Sequence, residues 1–509
     1  MKELILAHDI GTTGNKATLY DPEGELLASS FSPYPTYYPE VNWAEQNPED
    51  WWVAVCSSTV ELLKRAKISP DKIACISFSG QMMGCLPVDK KGIPLRRAII
   101  WADQRGENQA RIFRDKIEEK EVYRITGHRI SSTYSACKIM WIRENEPDVF
   151  KNTFKILHAK DYIIFKLTGK MLTDYSDASG MNLFDLKRKT WSEVILKATK
   201  IPQEILPEPH SSLEIAGELT FRSAKEMKLL PGIPVVIGGG DGPCASVGAG
   251  VVDEGDCYNY LGSSSWIAIT SKEPVYDTNM RTFTFHHVAP DKFMPAGTMQ
   301  TAGGSYQWLK ENICKLETKI AKEVDIDPYK ILDLKVNSSS PGSNNLLFLP
   351  YLMGERSPHW NPKARGAFIG LTITHKREDI IRSVLEGVAF NLKIILDILK
   401  KQVPLGHEMR VIGGLARSLT FCQILSDVYN KKISRPHLVE EATSLGAAIT
   451  GGVAVGVFKN LGVVKELVKL KVTNEPRPEC REKYDNLYRV FKKAYSALSP
   501  IYEELADIR

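Results

Sequence analysis

Four short stretches of this chain combine glycine, hydroxyl and acidic residues in ways suited to handling phosphate. The first is Asp9-Ile10-Gly11-Thr12-Thr13-Gly14-Asn15-Lys16. A backbone that turns sharply at glycines exposes successive N–H groups, and together these form a concavity for an anion. Thr12 and Thr13 add hydroxyl donors, and Lys16 adds charge. Asp9 cannot meet a phosphate directly, because like charges repel, but it can hold Mg2+, which bridges phosphate oxygens. The spacing is neither that of a Walker loop nor that of a Rossmann fingerprint. The second stretch, Gly238-Gly239-Gly240-Asp241-Gly242, sets a carboxylate among glycines at the end of a strand. Phosphoryl transfer needs an aligned nucleophile and a group to accept the proton of the acceptor hydroxyl. Asp241 fits that task as general base, a role worth about 10²–10⁴-fold. The third, Gly262-Ser263-Ser264-Ser265, repeats the glycine–hydroxyl logic and suits β- and γ-phosphates. In the fourth, Gly413-Gly414-Leu415-Ala416-Arg417-Ser418, bare backbone lets a flat purine lie close, beside Gly413, Gly414, Ala416 and Arg417.

Two further loops carry the chemistry of polyol recognition: Ser79-Gly80-Gln81-Met82-Met83 and Trp101-Ala102-Asp103-Gln104-Arg105. An aromatic face, a carboxylate and an amide bind a sugar's apolar edge and its hydroxyls together, and each polar group penalises a ligand lacking its partner. Gln81, Met82, Met83, Trp101 and Asp103, with Asp241, are therefore the substrate-side candidates. Each stretch alone also reads as ordinary structure: a plain hairpin turn, an aspartate satisfying its own turn, a strand-to-helix loop, or core Met and Trp. Their order along the chain carries the argument: phosphate turn, sugar-side loops, acidic glycine loop, second phosphate turn, purine-side glycines.

These groups must be held by strands that end where the loops begin. Apolar runs at 4–7, 17–20 and 25–29 read as strand, strand and strand about the first turn; runs at 73–78, 98–100 and 234–237 precede the next three loops. Residues 256–261 and 266–270 flank the second turn, and 409–412 leads through the glycine pair to a helix at 421–429. Two halves that each open with such a hairpin suggest a duplicated layout. Apolar residues at helical spacing predict helices over 379–400 and 482–498, with core-facing stripes. The polar, Lys-rich segment 311–345 reads as a helical insertion ending in a loop. At 509 residues the chain exceeds the roughly 250–300 that one core sustains, so two domains with a ligand cleft between them are expected.

Composition narrows the function classes. Hydrophobic residues make up 43% and charged residues 25%, an ordinary globular balance. The net charge is +5 with no long Lys/Arg block, which argues against nucleic-acid binding. The nine cysteines form no C-x-x-C pair. That argues against a disulfide framework or zinc cluster and fits a reducing cytoplasm. No signal peptide and no apolar run of about 20 residues is apparent, so no membrane association is expected.

Three stretches support a family resemblance. Gly366-Ala367-Phe368-Ile369-Gly370-Leu371 is followed after seven residues by Asp379-Ile380-Ile381-Arg382-Ser383-Val384-Leu385-Glu386. Just before it stands Tyr351-Leu352-Met353-Gly354-Glu355-Arg356-Ser357-Pro358-His359-Trp360, and far upstream Ser135-Ala136-Cys137-Lys138-Ile139-Met140-Trp141-Ile142. Together they resemble the signatures of the FGGY carbohydrate kinases, and the likeness covers essentially the whole chain. It implies an α/β fold of two actin/hexokinase-like (ribonuclease H-like) domains, each a five-stranded mixed sheet with helices on both faces, with the active site in the cleft. The division implied is 1–245, carrying the sugar side and first phosphate hairpin, and 246–509, carrying the nucleotide side. The resemblance also implies ATP and Mg2+, phosphate contacts at both hairpins, Asp241 as catalytic base, Gly413, Gly414 and Ala416 beside the nucleotide, a cleft that closes to exclude water, and a homodimer.

Loop 351–360 is most similar to members that convert D-xylulose to D-xylulose 5-phosphate. Those members usually carry Met-His where this chain has Met82-Met83, and Asn where it has Gly242; both changes remove hydrogen-bonding capacity from the pocket. Members acting on glycerol carry Arg-Glu at the Met82-Met83 position, and the Trp101-Ala102-Asp103 segment is similar to gluconate-phosphorylating members. Another ketose, a sugar acid or a polyol (ribulose, gluconate, erythrulose, glycerol) therefore stands as the alternative substrate. A non-catalytic sugar sensor, or an actin-like or chaperone-like ATPase, is the alternative class; retention of Asp9, Thr12, Thr13 and Asp241 speaks against the sensor.

Overall fold

The structure, a computed structural model, describes residues 3–508. The first apolar run forms β1 (Leu4–Ile10), buried along almost its whole length, as a central strand covered on both faces must be. It turns at residues 11–13 into the antiparallel β2 (Gly14–Tyr20), which passes to β3 (Leu26–Pro33), an edge strand with alternating burial. The expected hairpin is present, but Asp9 and Lys16 face each other as paired strand residues, and the turn itself is only the three residues between the strands.

Helix α1 (Pro48–Ala66) follows. Asn47 caps it, Pro48 opens it, Glu49 and Asp50 lie in its first turn and Lys64 and Arg65 in its last, choices that match the helix's orphan N–H groups and its dipole. The fully buried β4 (Ile73–Gly80) runs parallel to β1. β5 (Ile215–Glu218), β6 (Pro234–Val236) and the two-residue β7 (Gly239–Gly240) complete the first sheet, in the order β5-β6-β4-β1-β2-β3 with β7 on the end of β4. Helix α2 (Asp241–Gly248) starts at once.

The second sheet contains β8 (Cys257–Leu261), β9 (Ser265–Ile269), β10 (Phe283–His286), β11 (Phe293–Met299), β12 (Glu408–Ile412), β13 (Lys432–Pro436) and β14 (Leu470–Asn474), ordered β10-β11-β9-β8-β12-β13-β14. Within both sheets an antiparallel triplet continues into two parallel strands: β3-β2-β1-β4-β6 in one, β11-β9-β8-β12-β13 in the other. This is the ribonuclease H-like order twice over, and the expected five strands are extended to seven in each half by short additional strands.

Helix α3 (Arg377–Leu399) is buried on nearly every side, including Ile381, Val384, Leu385, Val388, Leu392, Ile395 and Leu399. Helix α4 (Leu419–Tyr429) follows the glycine pair. Helix α5 (Ala442–Ala454) comes late in the chain yet packs on β4 and β1 of the first sheet and crosses α2. The crossing is close because both helices carry glycine there. A side-chain carbon at Gly248 would stand 1.7 Å from the Ala442 carbonyl oxygen, and one at Gly446 would stand 1.9 Å from that of Cys244. The terminal helix α6 (Pro478–Asp507) buries Tyr484, Leu487, Tyr488 and Phe491 as its periodicity predicts. The Lys-rich segment forms the helices Lys315–Glu323 and Pro328–Asn337 and then a short turn. All nine cysteines are free. Among the described residues no helix is long and apolar enough to cross a membrane.

Candidate active site

The two hairpin turns are built alike. In the first, Tyr34 and the Gln81 side chain donate to the Gly11 carbonyl, the Gln46 side chain to that of Thr12 (2.7 Å), and the Tyr34 N–H to that of Thr13 (3.2 Å). The carbonyls are thereby held, while no protein group among the described residues accepts from the N–H groups of Thr12 and Thr13. In the second, Gly303 N–H donates to the Gly262 carbonyl (2.9 Å), and Ala302 and Gly304 N–H donate to that of Ser263 (2.8 and 3.0 Å). Again the N–H groups facing the other way, those of Ser263 and Ser264, have no protein acceptor among the described residues. Each half of the molecule thus offers a small nest of unpaired donors, suited to phosphate oxygens. Gln46 and the Ala302–Gly304 segment went unread in the sequence, because neither is near its turn along the chain.

Asp241 is the first residue of α2. Gly239 and Gly240 pair with Ser79 and Gly80 on one side of β4, and Asp9 and Ile10 pair with the same two residues on the other. The backbones of Asp9 and of the loop before Asp241 are therefore two strand spacings apart, about 10 Å. Burial, and next the nearby Asp9 carboxylate, raise the Asp241 carboxyl to about 7, against an opposing hydrogen bond from the Gly242 N–H (2.7 Å). Burial also raises Asp9, whose Oδ1 accepts from Ser79 Oγ (3.0 Å) and whose Oδ2 accepts from no protein group among the described residues. A half-buried carboxyl near neutrality in a cleft is a functional-site feature. Here it is held where it can take up a hydroxyl proton at ordinary pH.

Several side chains expected at the ligands are committed elsewhere. Asp103 is not free to meet a ligand: it is fully buried, Oδ2 accepts from the Ala44 N–H (2.7 Å), and both oxygens are engaged by Arg105. Arg105 also pairs with Glu45, so Asp103 belongs to a buried ion network behind the cleft. Lys16 is not directed at the first turn either; its ammonium reaches the other half, 3.1 Å from the Glu440 carbonyl and 3.6 Å from Glu441. Trp101 uses its indole N–H on the Thr12 hydroxyl (2.9 Å), and Gln81 also donates to Gln46 (2.7 Å); both brace the phosphate turn. Met82 is buried against Gly240, where a side-chain carbon would lie 2.5 Å from its sulfur. Met83 remains partly open, in a left-handed backbone conformation (φ 62°) with its carbonyl held by Lys138 Nζ at 2.7 Å. Above Gly242 sits the Met294 methyl, 3.3 Å from where a side chain would begin, so the wall there is apolar and a larger residue at 242 would press on that methyl.

On the nucleotide side a cavity of about 700 Å³ opens beside the second turn. Gly262, Ser263, Gly414 and Arg417 line it, and a side chain at Gly414 would meet nothing within 4 Å, which leaves bare backbone toward the space. Gly413 acts differently: at φ 92° its backbone lies so near Leu261 that a side-chain carbon would be 2.8 Å from the Leu261 oxygen. Ala416 is fully buried and supports the loop from behind, and Ser264 is not among the cavity's walls. The far wall comes from Tyr306, Tyr329 and Asp333, residues of the Gly303–Asn312 helix and of the polar segment read only as an insertion. Tyr329 and Asp333 lie four apart on one helix, with the Tyr306 hydroxyl donating to Asp333 (3.0 Å).

Residues 4–248 match the N-terminal domain of the FGGY family of carbohydrate kinases, and residues 257–455 match its C-terminal domain. The chain belongs to the FGGY family of carbohydrate kinases. Relatives of this carbohydrate kinase include a gluconokinase of Bacillus subtilis, 32% identical over 511 residues, covering 100% of this chain and 98% of the relative. A xylulose kinase of Lactococcus lactis is 32% identical over 507 residues, covering 99% and 98%. Among solved structures, a ligand-bound xylulose kinase and a gluconate kinase, both from Lactobacillus acidophilus, each superpose with a TM-score of 0.91 at 27% identity, covering 99% of both chains.

Proposed function

We propose that this carbohydrate kinase transfers the γ-phosphoryl group of ATP to a hydroxyl of D-xylulose, giving D-xylulose 5-phosphate, with Asp241 as general base. The observation that carries the mechanism is the half-buried Asp241, raised to about 7, in a chain whose two halves each contribute a nest of unpaired N–H groups. The acceptor hydroxyl gives its proton to Asp241 as its oxygen attacks the γ-phosphorus, and the bond from that phosphorus to the β–γ bridging oxygen breaks, releasing ADP. The nests at 12–13 and 263–264 neutralise and align the phosphate oxygens, and the cavity beside Gly414 takes the base. Closing the halves on the substrates excludes the water that would otherwise accept the phosphoryl group.

Asp9 fits a magnesium ion. It is a half-buried oxygen donor with one oxygen free of protein hydrogen bonds, its charge already presses on Asp241, and Mg2+ is commonly held by one or two carboxylates plus substrate phosphates. Bound there, Mg2+ offsets charge on the β- and γ-phosphates. The nine free thiols suit a reducing cytoplasm.

Gluconate is the second reading, favoured by a specific observation: near Asp241 the wall consists of Met82, Met83 and the Met294 methyl over Gly242, without the histidine and asparagine expected for a xylulose site. ADP release with Mg·ATP across D-xylulose, D- and L-ribulose, erythrulose, gluconate and glycerol separates the readings. A kcat/KM of about 10⁴ M⁻¹s⁻¹ or more, in the usual enzymatic range, for xylulose alone supports the first; the same for gluconate alone replaces it.

A further inference from the structure

Beneath the Gly238–Gly242 loop lies a buried group of charges that the mechanism above does not use. Lys160, Asp161, Asp174 and Asp177 are all fully buried. Lys160 Nζ lies 2.9 Å from Asp161, 3.2 Å from Asp174 and 3.3 Å from Asp177. His158, Asp161 and Asp177 have the spacing to hold a metal ion, but the Lys160 ammonium already supplies their cation.

One branch of this network reaches the loop that carries Asp241. Asp174 Oδ2 accepts from the Ser176 hydroxyl (2.5 Å), the Ser176 N–H (2.9 Å) and the Ser212 hydroxyl (2.7 Å). Ser176 Oγ in turn accepts the Gly240 N–H at 2.9 Å. Gly240 caps α2, and the next residue is Asp241. The directions are fixed by chemistry: an ionised carboxylate only accepts and a backbone N–H only donates, so the Ser176 proton goes to Asp174 and its lone pair to Gly240. The loop runs close against these side chains. A side-chain carbon at Gly239 would lie 3.1 Å from Ser176 Oγ, and one at Gly80, the strand partner of Gly240, would lie 2.9 Å from the Lys160 Cβ.

We propose that Ser176 is a positioning residue for phosphoryl transfer. Anchored on the Asp174–Lys160 pair, its hydroxyl holds the Gly240 N–H and so sets the direction in which Asp241 enters the cleft. This rests on the reading of Asp241 as the general base. Ser176 touches neither substrate; it acts through the Gly239–Gly240 peptide, one residue before the base.

The test compares Ser176→Ala, Ser176→Cys, Ser176→Thr and Ser212→Ala with the parent enzyme, measuring kcat on the parent's substrate and the Kd for ADP. Misplacing a reacting group by about 1 Å costs on the order of 10²-fold, so Ser176→Ala is expected to lower kcat about 10–100-fold with the ADP Kd unchanged. Ser176→Cys keeps the volume but is a poor acceptor, and is expected to behave like alanine; Ser176→Thr keeps the hydroxyl and is expected to recover most of the turnover. Ser212→Ala removes a bond to the same carboxylate without touching Gly240, and is expected to leave kcat unchanged. The proposal is overturned if Ser176→Cys turns over like the parent, since packing alone then suffices, or if Ser212→Ala loses as much as Ser176→Ala. Absence of turnover in the parent would instead count against the kinase reading itself.

Discussion

Replacing Asp241 with asparagine should remove turnover and at the same time make the protein more stable. The magnitude follows from its surroundings. Burial and Asp9 hold the carboxyl near 7 rather than the ordinary value of about 3.9. Each pH unit of such displacement costs the charged form about 1.4 kcal/mol, so ionised Asp241 carries a penalty of about 4 kcal/mol. The side chain is partly open to the cleft, and solvent screening reduces this to about 2 kcal/mol. Because the native carboxyl binds its proton more tightly than the unfolded one, the penalty is absent below about pH 4, grows as pH rises, and is complete above about 7. An asparagine in its place is neutral at every pH, and its side-chain carbonyl can still accept the Gly242 N–H. Asp241→Asn is thus expected to raise Tm by roughly 2–4 °C at pH 8 and hardly at all at pH 4.5, while turnover falls about 10²–10⁴-fold. Thermal melts at the two pH values, with ADP release at pH 8, read both effects. A variant less stable than the parent at pH 8 would show that ionised Asp241 carries no such penalty, and one with near-parental turnover would remove Asp241 as the base.

Other perturbations separate the remaining parts. Asp9→Ala is expected to raise the Mg2+ concentration needed for half-maximal rate by about tenfold or more; an unchanged Mg2+ titration removes Asp9 from that role. Gly446→Ala forces α5 away from the Cys244 carbonyl, and strain of this kind costs about 1–3 kcal/mol. Since α2 begins with Asp241, kcat should fall together with the denaturation midpoint, and a fall in stability alone would show that the crossing does not position the base. Asp103→Asn breaks a buried ion pair with Arg105, which typically costs about 3–5 kcal/mol. Chemical denaturation should show the loss, while relative rates on different sugars stay as in the parent; a changed sugar preference would return Asp103 to the pocket.

Much of the fold and the outline of the site could be read from residue types alone. Glycine-rich turns after short apolar runs announce hairpins, and an aspartate among glycines announces a carboxylate with backbone close by, so the regions of Asp9, Asp241 and Gly262 were legible. What a charged or aromatic side chain does once placed was not. Asp103 and Asp241 look alike in sequence, yet one is neutralised by Arg105 and the Ala44 N–H and the other faces the cleft. Lys16 sits beside the phosphate turn in sequence, but its partner lies at Glu440, in the other half. The donors that pin each turn's carbonyls, Gln46 and Gly303 among them, come from segments tens of residues away, and only tertiary packing reveals them. Tyr329 and Asp333 were hidden for a different reason: a polar helix walling a cavity has the same pattern as one facing solvent.

Whether the phosphoryl group passes to a sugar or to water is read by following a label on the γ-phosphoryl group of ATP. With Mg2+ and D-xylulose or gluconate present, the label is expected on the sugar with little release of inorganic phosphate, and neither reaction should proceed appreciably when sugar is left out. Label appearing as inorganic phosphate at the same rate with and without sugar would contradict transfer to a sugar.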